Sequence, residues 1–289
     1  MSEKYLIFMD VSGDVVPEIL EQYDLHFVPM EYSVGEDMRV LNGPAEAEAL
    51  KEFYDGQRGG DLTQTSQISP YLYEGYFGPY MKEGYSILYL ALSGGLSATY
   101  QSACLAKAEL KEKYPDVDLY PFNTLSASGG MGVLAERALR NQTKDMSIED
   151  NYNDLVSAAG RIRHWFGVQD LMYLKRGGRV SAASAVIGTA LNVRPLIKID
   201  ETGALVVTEK KRGNKAAAKT ILQLFESTYD EAGEDPVYII DGDCPEMAEF
   251  FEAELKGTHP DALIRRSGLS PIIGAHTGPG MFALCYMGK

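Results

Sequence analysis

Residues 86–102 read SILYLALSGGLSATYQS, and this stretch decides the fold. Its first seven residues, 86–92, are mostly apolar and uncharged, as in a strand that is buried inside a sheet. Gly94 and Gly95 interrupt this run, and residues 98–114 are rich in Ala, Leu, Lys and Glu, which favours a helix. A strand, a short polar loop and a helix are the repeating unit of a parallel α/β sheet.

The same alternation continues on both sides of this unit. Apolar runs and helical composition predict strands at Tyr5–Met9, His26–Met30 and Val117–Phe122, and helices at Ala45–Tyr54 and Gly130–Arg140. We therefore expect residues 1–160 to form an N-terminal α/β domain. Its sheet should be doubly wound and mostly parallel, with helices on both faces.

The pattern changes near residue 160, where we place the boundary to a second domain, residues 161–289. A helix is predicted over Asn151–His164, across that boundary. Further along, the sequence predicts strands at Pro195–Ile199, Leu205–Thr208, Val237–Ile240 and Met281–Tyr286, and helices at Lys215–Tyr229 and Met247–Leu255. This mixture predicts a C-terminal mixed α/β domain.

Local signals mark the ends of some elements. Ser69 and Pro70 suit the N-cap and the first position of a helix. Gly78-Pro79 is expected to end or kink that helix early. The segment Gly274–Gly280 predicts a glycine-rich turn ahead of the last strand.

The composition excludes several classes of protein. The 289 residues are 45% hydrophobic and 24% charged, which is typical of globular proteins and not of disordered or collagen-like chains. With 27 basic and 41 acidic residues the net charge is −14, and such a field repels the phosphates of nucleic acids. No apolar run is long enough to span a bilayer, so the protein is not expected to be membrane-embedded.

The cysteines and the N-terminus favour the cytoplasm. Cys104, Cys244 and Cys285 are odd in number and widely spaced, which argues against a disulfide framework or a zinc site. A reducing compartment fits them best. The first residues also lack the apolar segment of a signal peptide.

The loop Ser93–Ser97 has the properties of an anion site. Its glycines allow backbone N–H groups to approach a ligand, and the following helix start adds unpaired donors and partial positive charge. The hydroxyls of Ser97 and Thr99 can add contacts. The alternative, that Ser97 is only a helix N-cap, stays open at this point.

Two other polar segments are candidates for the same site. Thr65-Ser66-Gln67 precedes a helix, and it gains weight only if it faces Ser97 across a crevice at the carboxyl ends of parallel strands. The turn around His276 presents an imidazole beside the hydroxyl of Thr277. His276 is either exposed on a structural turn or part of a site, and loops on a rigid scaffold favour the second interpretation.

Two basic clusters, Lys175–Arg179 and Lys210–Arg212 with Lys215, lie in an otherwise acidic chain. They are either solvated surface or a docking patch or phosphate contact. The sequence contains no Gly-x4-Gly-Lys-Ser/Thr loop, no complete Gly-x-Gly-x-x-Gly motif and no metal-binding spacing of His or Cys. No cofactor is therefore expected.

Several motifs in order resemble the DegV family of fatty-acid-binding proteins over nearly the whole chain. They are Asp10-x-Ser12-x-Asp14 with Pro17, Thr65-Ser66-Gln67-x-Ser69, Ser93-x-x-Leu96-Ser97-x-Thr99-Tyr100-Gln101-Ser102-Ala103, Tyr173-Leu174-x-x-Gly177-Gly178-Arg179, Asn192-x-x-Pro195, Arg212-x-x-Lys215-Ala216 and Gly274-x-His276-x-Gly278-Pro279-Gly280. Each motif alone is modestly specific, whereas the ordered set is highly specific. The chain departs from the family's usual residues at Val11, Ala98 and Asn123-Thr124.

The resemblance implies a carrier that is not itself an enzyme. A long-chain fatty acid such as palmitate, stearate or oleate would be buried between the two domains. The carboxylate would lie near Thr65, Ser66, Gly95, Ser97, Ala98, His276 and Thr277. The resemblance also implies that a separate fatty-acid kinase phosphorylates the bound acid and that the protein carries the acyl phosphate, with Arg179 and Arg212 contacting the kinase or the phosphate.

Two other classes of function remain open from the sequence. Ser97, Asp241 and His276 occur in the chain order of an α/β-hydrolase triad, which is the pattern of a serine hydrolase or esterase. However, Thr99 stands where the nucleophile elbow needs a second glycine. The third class is a regulatory module that binds another protein through the basic clusters.

Overall fold

The structure is a computed structural model that describes residues 4–181 and 192–289. The N-terminal part is built on a parallel sheet with strand order β2-β1-β6-β7. Its strands are β1 (Tyr5–Asp10), β2 (Leu25–Val28), β6 (Ser86–Ala91) and β7 (Leu119–Asn123). Every residue of β6 is buried, as its uninterrupted apolar sequence predicts for a central strand.

Helices cover both faces of this sheet. On one face, Tyr89 of β6 contacts Tyr73 and Phe77 of one helix. On the opposite face, Phe122 of β7, the cross-strand partner of Leu90 on β6, packs against Tyr152 of another helix. The helices of this part are α1 (Pro17–Gln22), α2 (Ala47–Gly59), α3 (Leu72–Lys82), α4 (Thr99–Lys113), α5 (Gly129–Thr143) and α6 (Ile148–Ala159).

A small antiparallel sheet, which the sequence did not indicate, lies beside the parallel one. Its order is β4-β3-β5, with β3 (Met30–Val34), β4 (Asp37–Leu41) and β5 (Thr63–Thr65). Thr65 pairs with Tyr32 at the end of β5. The hydroxyl-rich segment that begins at Thr65 is therefore held in place by a strand.

The C-terminal part contains a six-stranded mixed sheet with order β10-β9-β8-β13-β11-β12. Only β11 and β12 pair in parallel. The strands are β8 (Ile162–Gly167), β9 (Val193–Ile199), β10 (Leu205–Arg212), β11 (Val237–Asp241), β12 (Ile264–Gly268) and β13 (Phe282–Met287). The helices are α7 (Leu171–Arg176), α8 (Asn214–Thr228), α9 (Pro245–Thr258) and α10 (Pro271–Thr277).

The two faces of this second sheet have different partners. On the outer face, Phe282 of β13 packs with Phe225 of α8 and Phe251 of α9 in a separate apolar cluster. On the inner face, Ala283 and its cross-strand partner Phe166 join the core of the N-terminal part. The observed architecture confirms the predicted fold class, whereas the exact division at residue 160 stays a prediction.

The predicted helix over Asn151–His164 is wrong at its end. Helix α6 stops at Ala159, Gly160 follows, and β8 begins at Ile162. The cause is the alternating sequence Ile-Arg-His-Trp-Phe, which buries every second side chain and suits a strand. His164 is therefore a sheet residue.

The predicted start of helix α3 is also wrong. The helix begins at Leu72, and Ser69 takes part through its backbone carbonyl, which accepts from the Leu72 N–H at 3.1 Å. Pro79 does not end the helix, which continues to Lys82. Burial of Phe77 against Tyr89 stabilises this helix across the proline.

Within residues 4–181 and 192–289, no helix is both long and apolar enough to cross a membrane.

Candidate functional site

A narrow cavity lies between the inner face of the six-stranded sheet and the loops of the parallel sheet. Its empty volume is about 790 Å³, counting the space at its opening to solvent. Its walls are mostly apolar, and they are formed by Met30, Thr65, Ser66, Gln67, Leu92, Leu96, Ser97, Ala127, Ser128, His164, Phe166, Leu174, Arg179, Ile199, Leu205, Ile272, Ile273, His276, Thr277, Met281, Ala283 and Cys285. Pockets with such walls and a few polar groups are typical ligand sites.

Ser97 reaches the cavity from the loop after β6. Its Oγ lies 3.0 Å from the Thr99 Oγ1 and accepts from the Thr99 N–H at 3.3 Å. The N-cap of α4 is Ala98, not Ser97. The loop itself is fixed by the Asn123 side chain, whose Oδ1 accepts from the Gly94 N–H at 3.0 Å.

Thr65 and His276 meet at the wall of the same cavity. The Thr65 Oγ1 lies 2.8 Å from the His276 Nε2, although 211 positions separate them in the chain. The expected turn at His276 is wrong, because this residue lies on α10 (Pro271–Thr277). Ser270-Pro271 precedes and opens this helix, and Gly274 allows it to pack closely on Tyr54.

His276 is a neutral imidazole in this setting. Burial and, to a smaller extent, the nearby Arg179 cation together lower its pKa to about 4. Its Nδ1 is buried without a hydrogen-bond partner among the described residues. Gly177 lies directly against this nitrogen, since a Cβ at Gly177 would be 2.2 Å from it.

Arg179 brings a positive charge to the cavity wall. Its Nε donates to the Leu96 carbonyl at 3.0 Å, and its Nη1 donates to the Gly177 carbonyl. In the described part of the chain it forms no ion pair. Burial lowers the pKa of Arg179, but the ordinary pKa of a guanidinium is so high that the group remains a cation.

The other residues that the sequence singled out fall into two groups. Ser66 and Thr277 line the cavity. Gly95 and Ala98 are exposed and are not among its lining residues, and Arg212 is exposed on β10, also outside it. Their expected roles remain predictions.

Gly95 has a packing role that its sequence context did not reveal. A Cβ at this position would lie 2.6 Å from the Gly203 carbonyl carbon and 2.8 Å from the Thr202 oxygen. Its N–H donates to the Ser93 Oγ at 3.2 Å, and that hydroxyl donates to the Gly203 oxygen at 2.7 Å. The loop of the parallel sheet is thereby joined to the turn between β9 and β10.

A buried carboxyl group, that of Asp14, joins segments that form the cavity wall. Asp14 accepts a hydrogen bond from the Ser128 hydroxyl and another from the Ser270 N–H at 3.1 Å. Burial raises its pKa to about 7, and these hydrogen bonds oppose the shift. Asp14 thus connects the loop after β1 to the starts of α5 and α10.

The hydrolase triad is not assembled in the described residues. Ser97 bonds to Thr99, His276 bonds to Thr65, and Asp241 accepts from the Cys244 N–H at 2.8 Å. No carboxylate orients the imidazole, whose Nδ1 is unpartnered. Such an orienting group is required for histidine to act as the base of a triad.

Sequence reasoning missed His164, which lines the cavity from β8. The available signal was the alternation of buried and partly exposed positions along β8, which starts at residue 162. The prediction of a helix over Asn151–His164 overlooked it. Among the residues that the structure describes, no group of His, Cys, Asp or Glu side chains is arranged to hold a metal ion.

Comparison with known proteins identifies the family. The sequence pattern of the family described as "Uncharacterised protein, DegV family" matches residues 4–289. A DegV domain-containing protein of Clostridium perfringens is 33% identical over 288 residues, which are 99% of this chain and 98% of that protein.

Solved structures are similar along their whole length. DegV of Bacillus subtilis, described as a fatty acid binding protein, has a TM-score of 0.84 and 27% identity, with 100% of each chain covered. A Thermotoga maritima protein, described as revealing fatty acid binding function, has a TM-score of 0.83 and 28% identity, covering 99% of this chain and 100% of that one. The match over residues 4–289 and the identity to the Clostridium relative show that this chain belongs to the DegV family.

Proposed function

We propose that this protein binds one long-chain fatty acid, with its carboxylate at the polar end of the cavity and its alkyl chain along the apolar wall. We define the polar end as Thr65, Ser97, Arg179 and His276. The observation that carries the proposal is the convergence of these four side chains, from distant parts of the chain, on one mostly apolar cavity. The fatty-acid binding described for the Bacillus and Thermotoga relatives supports it.

The charges at the polar end favour an anion. His276 is neutral, so the positive charge at this end comes from Arg179, and the imidazole can contribute only a hydrogen bond. Arg179 is half-buried, so its charge is partly removed from water, and a ligand carboxylate would compensate for that loss of solvation. The Thr65 and Ser97 hydroxyls are each able to donate a hydrogen bond to the same group.

Affinity and orientation come from different parts of the ligand. Burying about fifteen methylenes is worth up to roughly 12 kcal/mol at about 0.8 kcal/mol each. A hydrogen bond to a charged group contributes about 1.5–3 kcal/mol. The alkyl chain therefore supplies most of the affinity, and the polar end fixes the direction of the acid. Palmitate, stearate and oleate are the expected ligands.

The proposal is tested first by lipid extraction and then by titration. Mass spectrometry of lipid extracted from the purified protein should show a long-chain fatty acid at close to one per chain. Arg179→Met should weaken binding of stearate to delipidated protein by about tenfold or more, because an ionic hydrogen bond is lost. Binding of methyl stearate, which has no charge, should change much less.

A control is Thr220→Val, which removes a hydroxyl that donates to the Ala216 carbonyl within α8 and does not line the cavity. It should leave stearate affinity unchanged. Absence of both co-purified fatty acid and stearate binding would refute the proposed function.

We also propose that the protein works in the cytoplasm with a separate fatty-acid kinase. The kinase would transfer the γ-phosphoryl group of ATP to the bound carboxylate, leaving ADP and an acyl phosphate that this protein carries. The protein itself would contribute binding and orientation and no catalysis. Arg212, exposed on β10, is the proposed contact with the kinase or the phosphate.

Ser97→Ala separates binding from presentation. The alkyl chain dominates affinity, so this variant should bind stearate within about threefold of wild type. Its ADP production with a fatty-acid kinase and ATP should fall about tenfold or more, because the carboxylate is no longer oriented. Losses of equal size in the two assays would contradict this assignment of roles.

A further inference from the structure

A histidine without hydrogen-bond partners lies in the cavity wall. His164 is 5% exposed, and neither of its ring nitrogens has a partner among the described residues. Buried polar side chains nearly always have a partner in the protein or in ordered water. Gly130 lies directly against the Nε2, since a Cβ at Gly130 would be 1.9 Å from it, which leaves Nδ1 as the nitrogen for a molecule that enters the cavity.

The sheet places His164 in an apolar part of the wall. On β8, His164 and Phe166 point to the same face, and both line the cavity. Cys285 on β13 is the direct cross-strand partner of His164. Ile199 on β9 and its partner Leu205 continue the same wall.

His164 is the side chain of this part of the wall that can still form a strong hydrogen bond. Burial raises the pKa of the Cys285 thiol to about 12, so the thiol stays protonated and behaves as a small apolar group. The Ser128 hydroxyl, also in the wall, is already donated to Asp14. In the described residues, no hydrogen bond or ion pair connects His164 to the polar end. A fatty acid held there by its carboxylate would therefore meet His164 with its alkyl chain.

The charge state of His164 selects the chemistry of its partner. Burial lowers its pKa to about 3, while the Ala127 carbonyl, which lies near the ring without hydrogen-bond geometry, slightly opposes this shift. The neutral ring presents one N–H donor and one lone pair. At Nδ1 a hydroxyl can serve either tautomer, because it accepts from an N–H and donates to a lone pair, whereas a second carboxylate only accepts.

We propose that the wall around His164 is a subsite for a hydroxyl group on the alkyl chain, so that the protein accepts monohydroxylated long-chain fatty acids. This inference rests on the proposed fatty-acid binding. In a purely apolar cavity an unpaired hydroxyl would weaken binding by roughly tenfold or more relative to the unsubstituted acid. A hydroxyl at the correct position pairs with His164 and avoids that loss.

The test compares stearate with a positional series of monohydroxystearates on delipidated wild-type protein. The hydroxyl is placed near the carboxylate, at mid-chain or near the methyl end. One position should bind as tightly as stearate or within about threefold of it, and the others should bind about tenfold more weakly. Failure of stearate itself to bind would refute the proposed function. If stearate binds but every hydroxylated isomer is weakened alike, the subsite is refuted and the proposed function is not. That result is expected when a fixed water molecule is hydrogen-bonded to His164.

Two variants assign the effect to the imidazole. His164→Leu should keep stearate affinity within about threefold and weaken the favoured isomer about tenfold, whereas His164→Gln, which retains a donor and an acceptor, should preserve part of the preference. An undiminished preference in His164→Leu would overturn the proposal.

If neither variant folds, nitrogen-15 NMR of the imidazoles in the wild-type protein still tests the proposal. The favoured isomer should shift the His164 resonances relative to stearate, and identical spectra would refute the subsite.

Discussion

The charge state of His276 follows from its surroundings. An exposed histidine titrates near pH 6.5, but burial beside Arg179 lowers the pKa of this one to about 4. Between these two values the unfolded chain binds a proton at this position that the folded protein does not bind. The folded state therefore loses stability as the pH falls through this window.

His276→Gln should reduce this pH dependence. The amide of glutamine can keep a hydrogen bond to Thr65 and does not titrate. Between pH 7 and pH 4.5 the variant should lose about 2 kcal/mol less free energy of unfolding than wild type. Urea denaturation of delipidated protein at both pH values measures the difference. His164 and Asp14 titrate in both proteins, so they cancel in the comparison. Equal losses would show that the pKa of His276 is the same in the folded and unfolded states.

At the scale of elements, a contact between two loops joins the parallel sheet to the six-stranded sheet. The loop after β6 meets the β9–β10 turn at Gly95 and Gly203, and the Ser93 hydroxyl bonds across the contact at 2.7 Å. Gly203 adopts a φ of +80°, which glycine tolerates and other residues rarely do. The close approach requires that both positions lack a side chain.

Gly95→Ala should disrupt this contact. Its Cβ would overlap the Gly203 backbone, so the turn must move and the bond from Ser93 should weaken. We expect a loss of about 1–3 kcal/mol in the free energy of unfolding, measured by urea denaturation, and faster release of bound stearate. Gly75→Ala, in open space on α3, is the matched control and should be neutral or slightly stabilising. If both variants behave alike, the contact has no effect on stability.

The helices and strands also show which parts of the fold could be predicted from the sequence. The strand at residues 86–92 and the loop after it were predictable, because apolar runs and glycines act locally. The β3–β5 sheet was not, since its short strands are stabilised by pairing with distant segments. His276 was expected on a turn because glycines surround it, yet Gly274 serves close packing of α10 on Tyr54.

At the scale of the whole molecule, the site combines residues that sequence spacing cannot bring together. Thr65 and His276 are hydrogen-bonded across 211 positions, and only the packing of the small sheet against α10 brings about that contact. The resemblance identified both residues as candidates but said nothing of His164, which depends on the register of β8 against β13. The motifs thus named the residues of the proposed polar end, and tertiary structure was needed to find those of the wall.

The overall charge and the site have opposite signs. The chain carries a net charge of −14, yet the charged group of the cavity wall is the cation Arg179. A negative surface repels free anions at long range. A fatty acid should therefore be drawn in chiefly by its apolar chain, and the guanidinium acts only at close contact.

The cavity lies between the six-stranded sheet and the loops of the parallel sheet, and this has a practical consequence for anyone who handles the protein. If it holds a fatty acid as proposed, a recombinant preparation will leave the expression host already filled with that host's own lipids. An affinity titrated on such material is a displacement constant, set as much by the resident molecule as by the added one. Preparations from hosts with different membrane compositions would then differ in melting temperature while sharing one sequence.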